Sequence, residues 1–495
     1  MNPFLIFLSV VWLAVCSSSA FGQTERDEFY WLAEMNKASA VMVVSTGIVD
    51  PALGKTIANA IAKVNADAAV PGADRPWDYL KIEPKLIAAG GPDVTRLHSG
   101  RSRQDMLSTS QRLFLRDAYL KVITTLNDYR AALFDLALSQ PDAIMPAYTM
   151  GVQAQPITVG HYVSGYLEAL GRQAQRVEQA YARVNLSPLG AAAVGTSSFP
   201  TDRNLLATLL GFNGIVENSF DANHVSPFDL DVETGSLAMS SAITSGALLA
   251  DLLDQYRLAR PWFLLAAGET TTSSIMPQKR NPLPLLAARE LASRTLGGAQ
   301  SEILIAHNIG PGVIEYRGKD ARDALLSAAH LHSTMAKLIR SLRFDAGRAL
   351  EEVNSEYSTS TELADVLQRE ANVPFRVGHH FVSELVNYGR ANGLVPAVIP
   401  FDQVERIYAA TAKEALIDQG GSFPLTEARF REALTAENMI RSSKGIGGPQ
   451  PAEVARMLEV ERASLKVDQG WVDNQQRALA EASQHLNDAF ERLRR

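Results

Sequence analysis

The segment "TTTSSIMPQKRNP", residues 270–282, concentrates groups that can do chemistry. It holds two serine hydroxyls, the ammonium of Lys279 and the amide of Asn281 within a few residues. Pro277 lies between them and fixes the backbone, because its ring restricts φ. Hydroxyl, ammonium and amide groups all donate hydrogen bonds, so together they can surround an anion. A polar loop of this composition also arises without function, and the rest of the chain decides between the two readings.

A second polar cluster is "RLHSGRSRQDM", residues 96–106. Arg101, Arg103, His98 and Ser102 lie at a glycine-containing turn before a long helical pattern. Arginine side chains and the free amides of a helix N-terminus suit a carboxylate ligand. Taken alone, surface arginines at a solvated helix start explain the segment equally well.

Two further segments are rich in polar or small residues. In "MPAYTMGVQAQP", residues 145–156, Tyr148, Thr149 and two glutamines crowd the expected start of another helix, where capping is the simpler explanation. The small residues of "PLGAAAVGTSSFPTDRN", residues 188–204, allow close backbone approach. A plain loop between helices would account for this segment if it stood alone.

The elements that must position these segments are helices. Apolar residues recur at helical spacing, as at Val159, Tyr162, Tyr166, Leu170 and Val177, with Pro156 at the expected helix start. The ranges 104–138, 234–267 and 284–307 are long, rich in Ala and Leu, and mostly free of Pro. We therefore predict an all-α protein with a central bundle of long helices. The breaks between the helical patterns, near 90–100, 186–202, 268–282 and 308–320, hold the polar clusters.

In chain order, these segments resemble the signature blocks of the argininosuccinate lyase/fumarase/aspartase superfamily. "SSIMPQKRNP" is similar to the shared "SSxMPxKxNP" loop, and "LHSGRSRQD" is similar to "LHTGRSRND". "YTMGVQAQP" resembles "YTHLQxAQP", and "PLGAAAVGTSSFPTDR" resembles "PLGAGALAGTTYPIDR". With two more C-terminal matches, the resemblance runs from about Glu28 to about Leu465, and so many ordered matches exclude chance similarity.

The resemblance implies an all-helical, three-domain fold and a homotetramer whose active sites each combine three subunits. It implies cleavage of a C–N or C–O bond beta to a carboxylate, release of fumarate, and no metal or cofactor. The corresponding divisions of this chain are a signal peptide at 1–22, an N-terminal helical domain at 23–106, a central bundle at 107–357 and a C-terminal helical domain at 358–495.

The family roles transfer to matching positions. Ser273 matches the serine that removes the proton beta to nitrogen, and Lys279 and Asn281 match the groups that hold the carboxylate of the resulting carbanion. A serine is a weak base unless dipoles and cations stabilise its anion, which explains the polar loop. The resemblance also implies these substrate contacts: Ser102, Arg103, Gln104, Thr149, Tyr316 and Arg322.

Several positions depart from the family pattern. Met150 stands where the family has a catalytic histidine, and Leu286 stands where it has the glutamate that pairs with that histidine. On the side that reads the amine, Arg322 replaces a glutamine and Leu325 replaces a lysine. Gln104 replaces an asparagine. The half that holds fumarate is mostly kept, whereas the half that recognises the amine is rewritten.

These observations predict an argininosuccinate lyase-like C–N lyase that eliminates an amine from an N-substituted aspartate in the anti sense and releases fumarate. One alternative is a cycloisomerase acting on a carboxymuconate-like acid, which needs the same carbanion-stabilising groups. Another is a non-catalytic dicarboxylate-binding or structural homologue. Ser273, Lys279 and Asn281 argue against loss of catalysis.

The charge of the chain and its N-terminal segment bear on partners and location. The 495 residues carry a net charge of −7 and no basic run, so nucleic acid is not an expected partner. An apolar run from Phe4 to Val15, followed by "CSSSAFGQ", is typical of a secretory signal and too short to span a bilayer. A membrane anchor, or a lipoprotein modified at Cys16, is the alternative. We expect a periplasmic or secreted protein.

Overall fold

The computed structural model describes residues 26–313, 320–414 and 421–495. The expected signal segment and Tyr316 lie outside these residues. The helices are α1 (Glu28–Ser45), α2 (Pro51–Ala68), α3 (Tyr79–Gly90), α4 (Arg103–Ser139), α5 (Val159–Val184), α6 (Arg203–Leu209), α7 (Ser226–Gln255), α8 (Leu283–Ala306), α9 (Asp320–Ser341), α10 (Ala346–Asn354), α11 (Ser360–Ala371), α12 (Phe375–Ala391), α13 (Phe401–Glu414), α14 (Glu427–Ala433), α15 (Ala436–Ser442) and α16 (Pro451–Arg494). The strands are β1 (Ile144–Thr149), β2 (Val152–Thr158), β3 (Phe263–Leu265), β4 (Thr271–Thr272), β5 (Arg280–Asn281) and β6 (Leu342–Phe344).

The prediction of an all-α fold is confirmed, because the strands in the described part of the chain form three short antiparallel pairs, β1–β2, β3–β6 and β4–β5. Helices α4, α5, α7, α8 and α9 pack together as the central bundle. Helices α4 and α7 run in the same direction. Near their starts, the guanidinium of Arg112 donates to the hydroxyl of Ser226 at 2.9 Å, and further along the hydroxyls of Tyr119 and Thr234 lie 3.0 Å apart.

Helix α5 runs in the opposite direction. Arg183, near its end, donates to Glu233 at 3.0 Å, whereas Tyr162, near its start, donates to Asp251 at 2.5 Å. We call the end of the bundle where α4 and α7 begin, and α5 and α8 end, the upper end. The opposite end is the lower end. Because α4 contains 37 residues, the two ends lie roughly 55 Å apart.

Helix α7 begins and ends earlier than the sequence predicted. The pattern at 234–267 predicted one helix, but α7 spans Ser226–Gln255. Beyond it the chain turns at Pro261, which has no amide proton to continue a helix, and forms β3 against β6. With the helical turn before it, α7 is the one segment of the described chain long and apolar enough to cross a membrane, and it packs against α5, α8 and α9 of the bundle.

The segment 145–156 is a β-hairpin and not the predicted helix start. Strands β1 and β2 meet at Met150 and Gly151, whose positive φ values of 54° and 77° suit a tight hairpin turn. Pro156 lies within β2, opposite Pro146. Helix α5 begins beyond the hairpin at the N-cap Thr158.

Helix α16 joins the bundle to the N-terminal helices. It contacts α4 and α5, and Arg130 of α4 forms a buried ion pair with Asp468 of α16. Its last turns bury Leu486 and Phe490 in the apolar cluster formed by α1, α2 and α3. Helices α11 to α14 form a separate cluster around Phe381 and Phe430. The domain limits drawn from the resemblance stay a prediction.

Candidate active site

Helix α4 begins at Ser102, one of the expected substrate contacts. The Ser102 hydroxyl accepts the backbone N–H of Gln104 at 3.3 Å, and the Ser102 N–H donates to Oδ1 of Asp105 at 2.8 Å. This reciprocal cap satisfies amides that the first turn of a helix leaves without partners. Ser102 therefore determines where the helix starts and places Gln104 on its first turn.

Asp105 connects this helix start to the segment 188–204. Its Oδ2 atom accepts the backbone N–H groups of Gly190 at 2.8 Å and Ala192 at 3.0 Å. The residue is completely buried. Burial raises the pKa of the Asp105 carboxyl to about 7, although three backbone N–H donors act in the opposite direction. Sequence reasoning did not single out Asp105, whose role depends on contacts 85 residues away.

A close backbone approach also joins the two segments. Gly100 has φ of 78°, and a Cβ atom there would lie 2.0 Å from the hydroxyl of Thr201. Only glycine fits this position without displacing the neighbouring loop. Residues 193–200 are exposed, so the contacts at Gly100 and Asp105 present a polar loop at the upper end.

Arg101 and His98 have structural positions. Arg101 is buried, donates to the Ser39 hydroxyl at 2.9 Å and to the Asn36 amide oxygen at 2.8 Å, and lies 4.8 Å from the Tyr79 ring centroid. His98 stacks on the same ring at 4.5 Å, and burial lowers its pKa to about 4. The suggestion that Arg101 binds a carboxylate ligand is therefore wrong, because its guanidinium is enclosed by α1 and α3.

Arg103 and Gln104 remain accessible at the upper end. The Arg103 guanidinium pairs with Asp78 at 3.0 Å and keeps 39% of its side chain exposed. The Gln104 amide donates to the carbonyl of Gly312 at 3.4 Å. This second contact brings the segment after α8 to the same end of the bundle. Three of the four polar breaks, the first, second and fourth along the chain, thus meet at the upper end.

A short π-helical turn, Asp221–Val225, adds two residues that sequence reasoning missed. Asn223 donates to the carbonyl of Ala192 at 2.8 Å, and Nε2 of His224 lies 2.8 Å from the carbonyl of Ala193. Both residues are buried behind the loop 193–200. The signal that could have located them is the polar "DANH" run immediately before the Ser-Pro start of a helix.

The positions expected to recognise the amine lie along the start of α9. Arg322 lies 4.7 Å from the ring centroid of Phe114, contacts Asp323 at 3.4 Å and keeps 23% of its side chain exposed. Leu325 is completely buried in the apolar cluster of the bundle. Leu325 therefore packs in the core and offers no polar contact at this position.

The loop that contains Ser273 lies at the lower end. Strands β4 and β5 pair Thr271 with Asn281 and Thr272 with Arg280, and so close the loop into a hairpin. Within it, the Ser273 hydroxyl oxygen accepts backbone N–H groups from Met276 at 3.1 Å and from Ile275 at 3.4 Å. Two amide dipoles directed at one oxygen favour its anionic form.

Lys279 lies immediately before β5, and Asn281 is the last residue of β5. Lys279 is exposed, and its backbone N–H donates to the carbonyl of Met276 at 3.1 Å. Asn281 and Ser273 are partly buried. Because its ammonium group is exposed, Lys279 can contact an anionic ligand that binds at this loop.

Met150 and Leu286, at the positions where the family resemblance has a histidine–glutamate pair, are also at the lower end. Met150 is fully exposed at the tip of the β1–β2 hairpin, beside exposed Thr149, and Leu286 is 44% exposed on the first turn of α8.

The predicted site residues therefore fall into two groups. Ser102, Arg103, Gln104 and Arg322 lie at the upper end, and the hairpin and the Ser273 loop lie at the lower end. A separation of roughly 50 Å, given by the length of the bundle helices, is too large for one small substrate to touch both groups in one chain.

Sequence comparisons identify the family. Residues 92–297 match the lyase family model, and residues 357–441 match the model for the argininosuccinate lyase C-terminal region. Argininosuccinate lyase of Methanoculleus marisnigri is 32% identical over 413 residues, covering 82% of this chain and 80% of that protein. That of Methanosarcina acetivorans is 30% identical over 481 residues, covering 95% and 93%. This chain belongs to the argininosuccinate lyase-like branch of the fumarase/aspartase superfamily.

A solved structure of a lyase agrees with this family assignment. EDDS lyase in complex with formate superposes with a TM-score of 0.81 and 29% identity, covering 94% of this chain and 92% of that one. A variant of EDDS lyase with bound fumarate superposes equally well. The family relationship makes this chain a carbon–nitrogen lyase that releases fumarate and acts on a small dicarboxylate.

Proposed function

We propose that this lyase removes a proton from the carbon beta to nitrogen of an N-substituted aspartate with Ser273, and then expels the amine in the anti sense. The proposal depends chiefly on the two backbone amides, of Ile275 and Met276, that donate to the Ser273 oxygen. A serine acts as a base only as its alkoxide, and preorganised dipoles supply the stabilisation that the alkoxide needs.

The electron flow follows from these groups. The Cβ–H bond breaks, its proton passes to Ser273 Oγ, and the electron pair delocalises into the adjacent carboxylate. Lys279 and Asn281 stabilise the added negative charge on that carboxylate. The delocalised electron pair then forms the double bond of fumarate. The C–N bond breaks, and the electrons of that bond leave with the nitrogen. The departing nitrogen takes a proton from water and Ser273 returns its proton to solvent, so that the net products are fumarate and the amine.

The site requires more than one copy of the chain. The Ser273 loop and the hairpin with Thr149 lie at the lower end, whereas Arg103 and Gln104 lie at the upper end. We propose a homotetramer in which the lower end of one subunit meets the upper end of another. The exposed apolar side chains of Met150 and Leu286 are then covered by a neighbouring subunit.

The leaving group differs from that of argininosuccinate. Arg322 offers a partly exposed cation where the family has a glutamine, and Leu325 is withdrawn into the core. A cation near the amine pocket repels a guanidinium and attracts a carboxylate. We propose an N-substituted aspartate whose amine side is acidic or apolar. The signal-like segment 1–22 further supports a protein that works in the periplasm or outside the cell.

Fumarate release measured by ultraviolet absorbance tests this function across a panel of N-substituted aspartates that includes argininosuccinate and EDDS. Turnover of an aspartate with an acidic or apolar amine substituent is the expected result. Consumption of a carboxymuconate without fumarate release would instead show cycloisomerase chemistry. Silence across the panel, with thermal stabilisation by a dicarboxylate, would show a non-catalytic binding protein.

A further inference from the structure

The β1–β2 hairpin covers a cavity of about 520 Å³ at the lower end of the bundle. Its walls come from the hairpin, the last turns of α7 and the segment that leads into β3. Small-molecule sites typically measure about 300–1,000 Å³. Among the described residues, none of the predicted catalytic or substrate-binding positions lines this cavity. Two of its lining residues, Tyr148 and Gly151, lie on either side of Thr149 and Met150 in the hairpin.

Aromatic rings form much of the wall. Tyr148 of the hairpin and Trp262 face each other with parallel rings whose centroids lie 6.3 Å apart and whose planes differ by 1°. Tyr162 lies beside Phe263, also at 6.3 Å between ring centroids. The faces of aromatic rings carry partial negative charge and attract cations.

One carboxylate in the lining lacks a cationic partner. Across the described chain, the contact of Asp251 is the hydroxyl of Tyr162, which donates to it at 2.5 Å, and no lysine or arginine pairs with it. Asp254, nearly one turn later in α7, is neutralised by Arg257 at 3.1 Å. Among the described lining residues, the cavity thus combines aromatic walls with the exposed carboxylate of Asp251 and the Asp254–Arg257 ion pair.

The phenols beside Asp251 do not remove this charge. Burial raises the pKa of Tyr162 well above its usual value, and the neighbouring carboxylate raises it further. Burial, together with the charge of Glu352, raises the pKa of Tyr148 to about 12. Both phenols therefore stay neutral near pH 7 and add no charge to the cavity.

We propose that this cavity binds an organic ammonium ion with an apolar stem. The ammonium pairs with Asp251, and the stem packs among Tyr148, Tyr162 and Trp262. An anionic ligand would meet Asp251 as a like charge, and a neutral one would leave the carboxylate unpaired. An apolar amine released by the proposed elimination belongs to this class, whereas an amine that carries a carboxylate does not, and this connection to turnover rests on the proposed function. A ligand bound in the cavity would contact the hairpin that carries Thr149.

Calorimetry on the full-length enzyme without substrate tests the proposal, with phenethylammonium, phenethyl alcohol and phenylacetate as probes. We expect the ammonium to bind once per chain, and the alcohol and the anion to bind at least about tenfold more weakly. Equal affinity for the alcohol and the ammonium, or no binding of the ammonium, would overturn the proposal.

Two matched variants locate the charge. Asp251→Asn keeps an acceptor for the Tyr162 hydroxyl and removes the negative charge, so ammonium affinity should fall by about tenfold or more. Glu290→Gln removes an exposed charge of α8 that pairs with Arg294 and lies outside the lining, so affinity should stay within about twofold. Unchanged binding by Asp251→Asn would show that the cavity does not recognise the cation. Because no turnover is measured, this failure would leave the elimination mechanism intact.

Discussion

The Oδ2 atom of Asp105 lies 2.8 Å from the backbone nitrogen of Gly190, which donates a hydrogen bond to it across 85 residues of sequence. Oδ1 of the same carboxyl accepts the N–H of Ser102. One buried side chain therefore holds both the first turn of α4 and the base of the loop 188–204. The geometry of Gln104 and of the exposed loop depends on this carboxyl.

We expect Asp105→Asn to destabilise the fold at neutral pH by about 1–3 kcal/mol, because an amide nitrogen would replace one of the acceptors for these backbone donors. The midpoint of chemical denaturation measures the change. Asp93→Asn is the matched control, since Asp93 is exposed and, within residues 26–313, 320–414 and 421–495, its ion pair is with Arg96. The control should stay within about 0.5 kcal/mol of wild type.

The pH dependence of this effect has a defined sign. The folded pKa of Asp105 is raised to about 7, above the unfolded value of about 3.9. Between those values the folded state binds more protons than the unfolded state, so the Asp105 contribution to stability falls as pH rises. Wild type should lose stability relative to Asp105→Asn from about pH 4 to pH 7, and the difference should be flat above that range. A pH-independent difference would contradict a raised pKa.

We expect Ser273→Ala to lower kcat by at least about 10³-fold while thermal stability and fumarate affinity stay close to wild type. The substitution removes the proton acceptor and changes little volume. Ser274→Ala is the control, because Ser274 is the exposed neighbour in the same loop. Near wild-type turnover by Ser273→Ala on the true substrate would place the base elsewhere.

A site shared between chains predicts complementation. Ser273→Ala damages the lower end and Arg103→Gln damages the upper end, so each variant alone should be poorly active. Co-expression should rebuild intact sites at interfaces between different variants, giving on the order of one quarter of wild-type activity. Ser273→Ala mixed with Lys279→Ala should recover nothing, because both changes lie in one loop. Recovery in the control, or none in the test pair, would contradict sites built from opposite ends.

The sequence was sufficient for the long helices and for the polar segments between them. Ranges 104–138 and 284–307 agree closely with α4 and α8, because uninterrupted helical patterns rich in Ala and Leu leave few alternatives. The hairpin at 145–156 was missed, because Pro146 and Pro156 conceal its alternation and its turn depends on a methionine with positive φ.

Other features of the site had only a weak local signal. Asp105 caps α4 together with Ser102, and a polar run precedes α7. The contacts of Asp105, Asn223 and His224 with residues 30 or more positions away do not show in the neighbouring sequence. Which end of the bundle each polar segment occupies also depends on the direction of the helices. The order of the segments in the sequence does not determine it. The suggestion that Arg101 binds a carboxylate was wrong for the same reason, because residues of α1 and α3 enclose its guanidinium.

The N-terminus gives a prediction that is independent of the fold. The apolar run from Phe4 to Val15, followed by small residues, predicts a mature chain that begins between about Phe21 and Thr24. Mass spectrometry of the protein purified from its host after cell fractionation measures this start. An intact Met1 in the cytosolic fraction would refute export.

The last prediction concerns the substrate: argininosuccinate should be turned over poorly, with kcat/KM below that of the preferred substrate by about 10⁴-fold. The cause is loss of the groups that recognise its amine end. Met150 and Leu286 occupy the positions of the histidine–glutamate pair, and the family's lysine contact is now Leu325, completely buried in the core. A site that no longer completes the hydrogen bonds of a polar substrate loses much of its transition-state binding.

Arg322 provides the direct test, because it places a cation where argininosuccinate would bring a guanidinium. Arg322→Gln should raise kcat/KM for argininosuccinate at least about tenfold and lower it for an aspartate with a carboxylate on its amine substituent. Arg343→Gln, an exposed arginine of β6 at the lower end, should leave the ratio of the two values unchanged. Wild-type efficiency with argininosuccinate equal to that with the acidic substrate would refute this reading, since Met150, Leu286 and Arg322 would then be neutral to the chemistry. If Arg322→Gln shifts both values equally, Arg322 supports the start of α9 through Phe114 and Asp323, and the substrate is selected elsewhere.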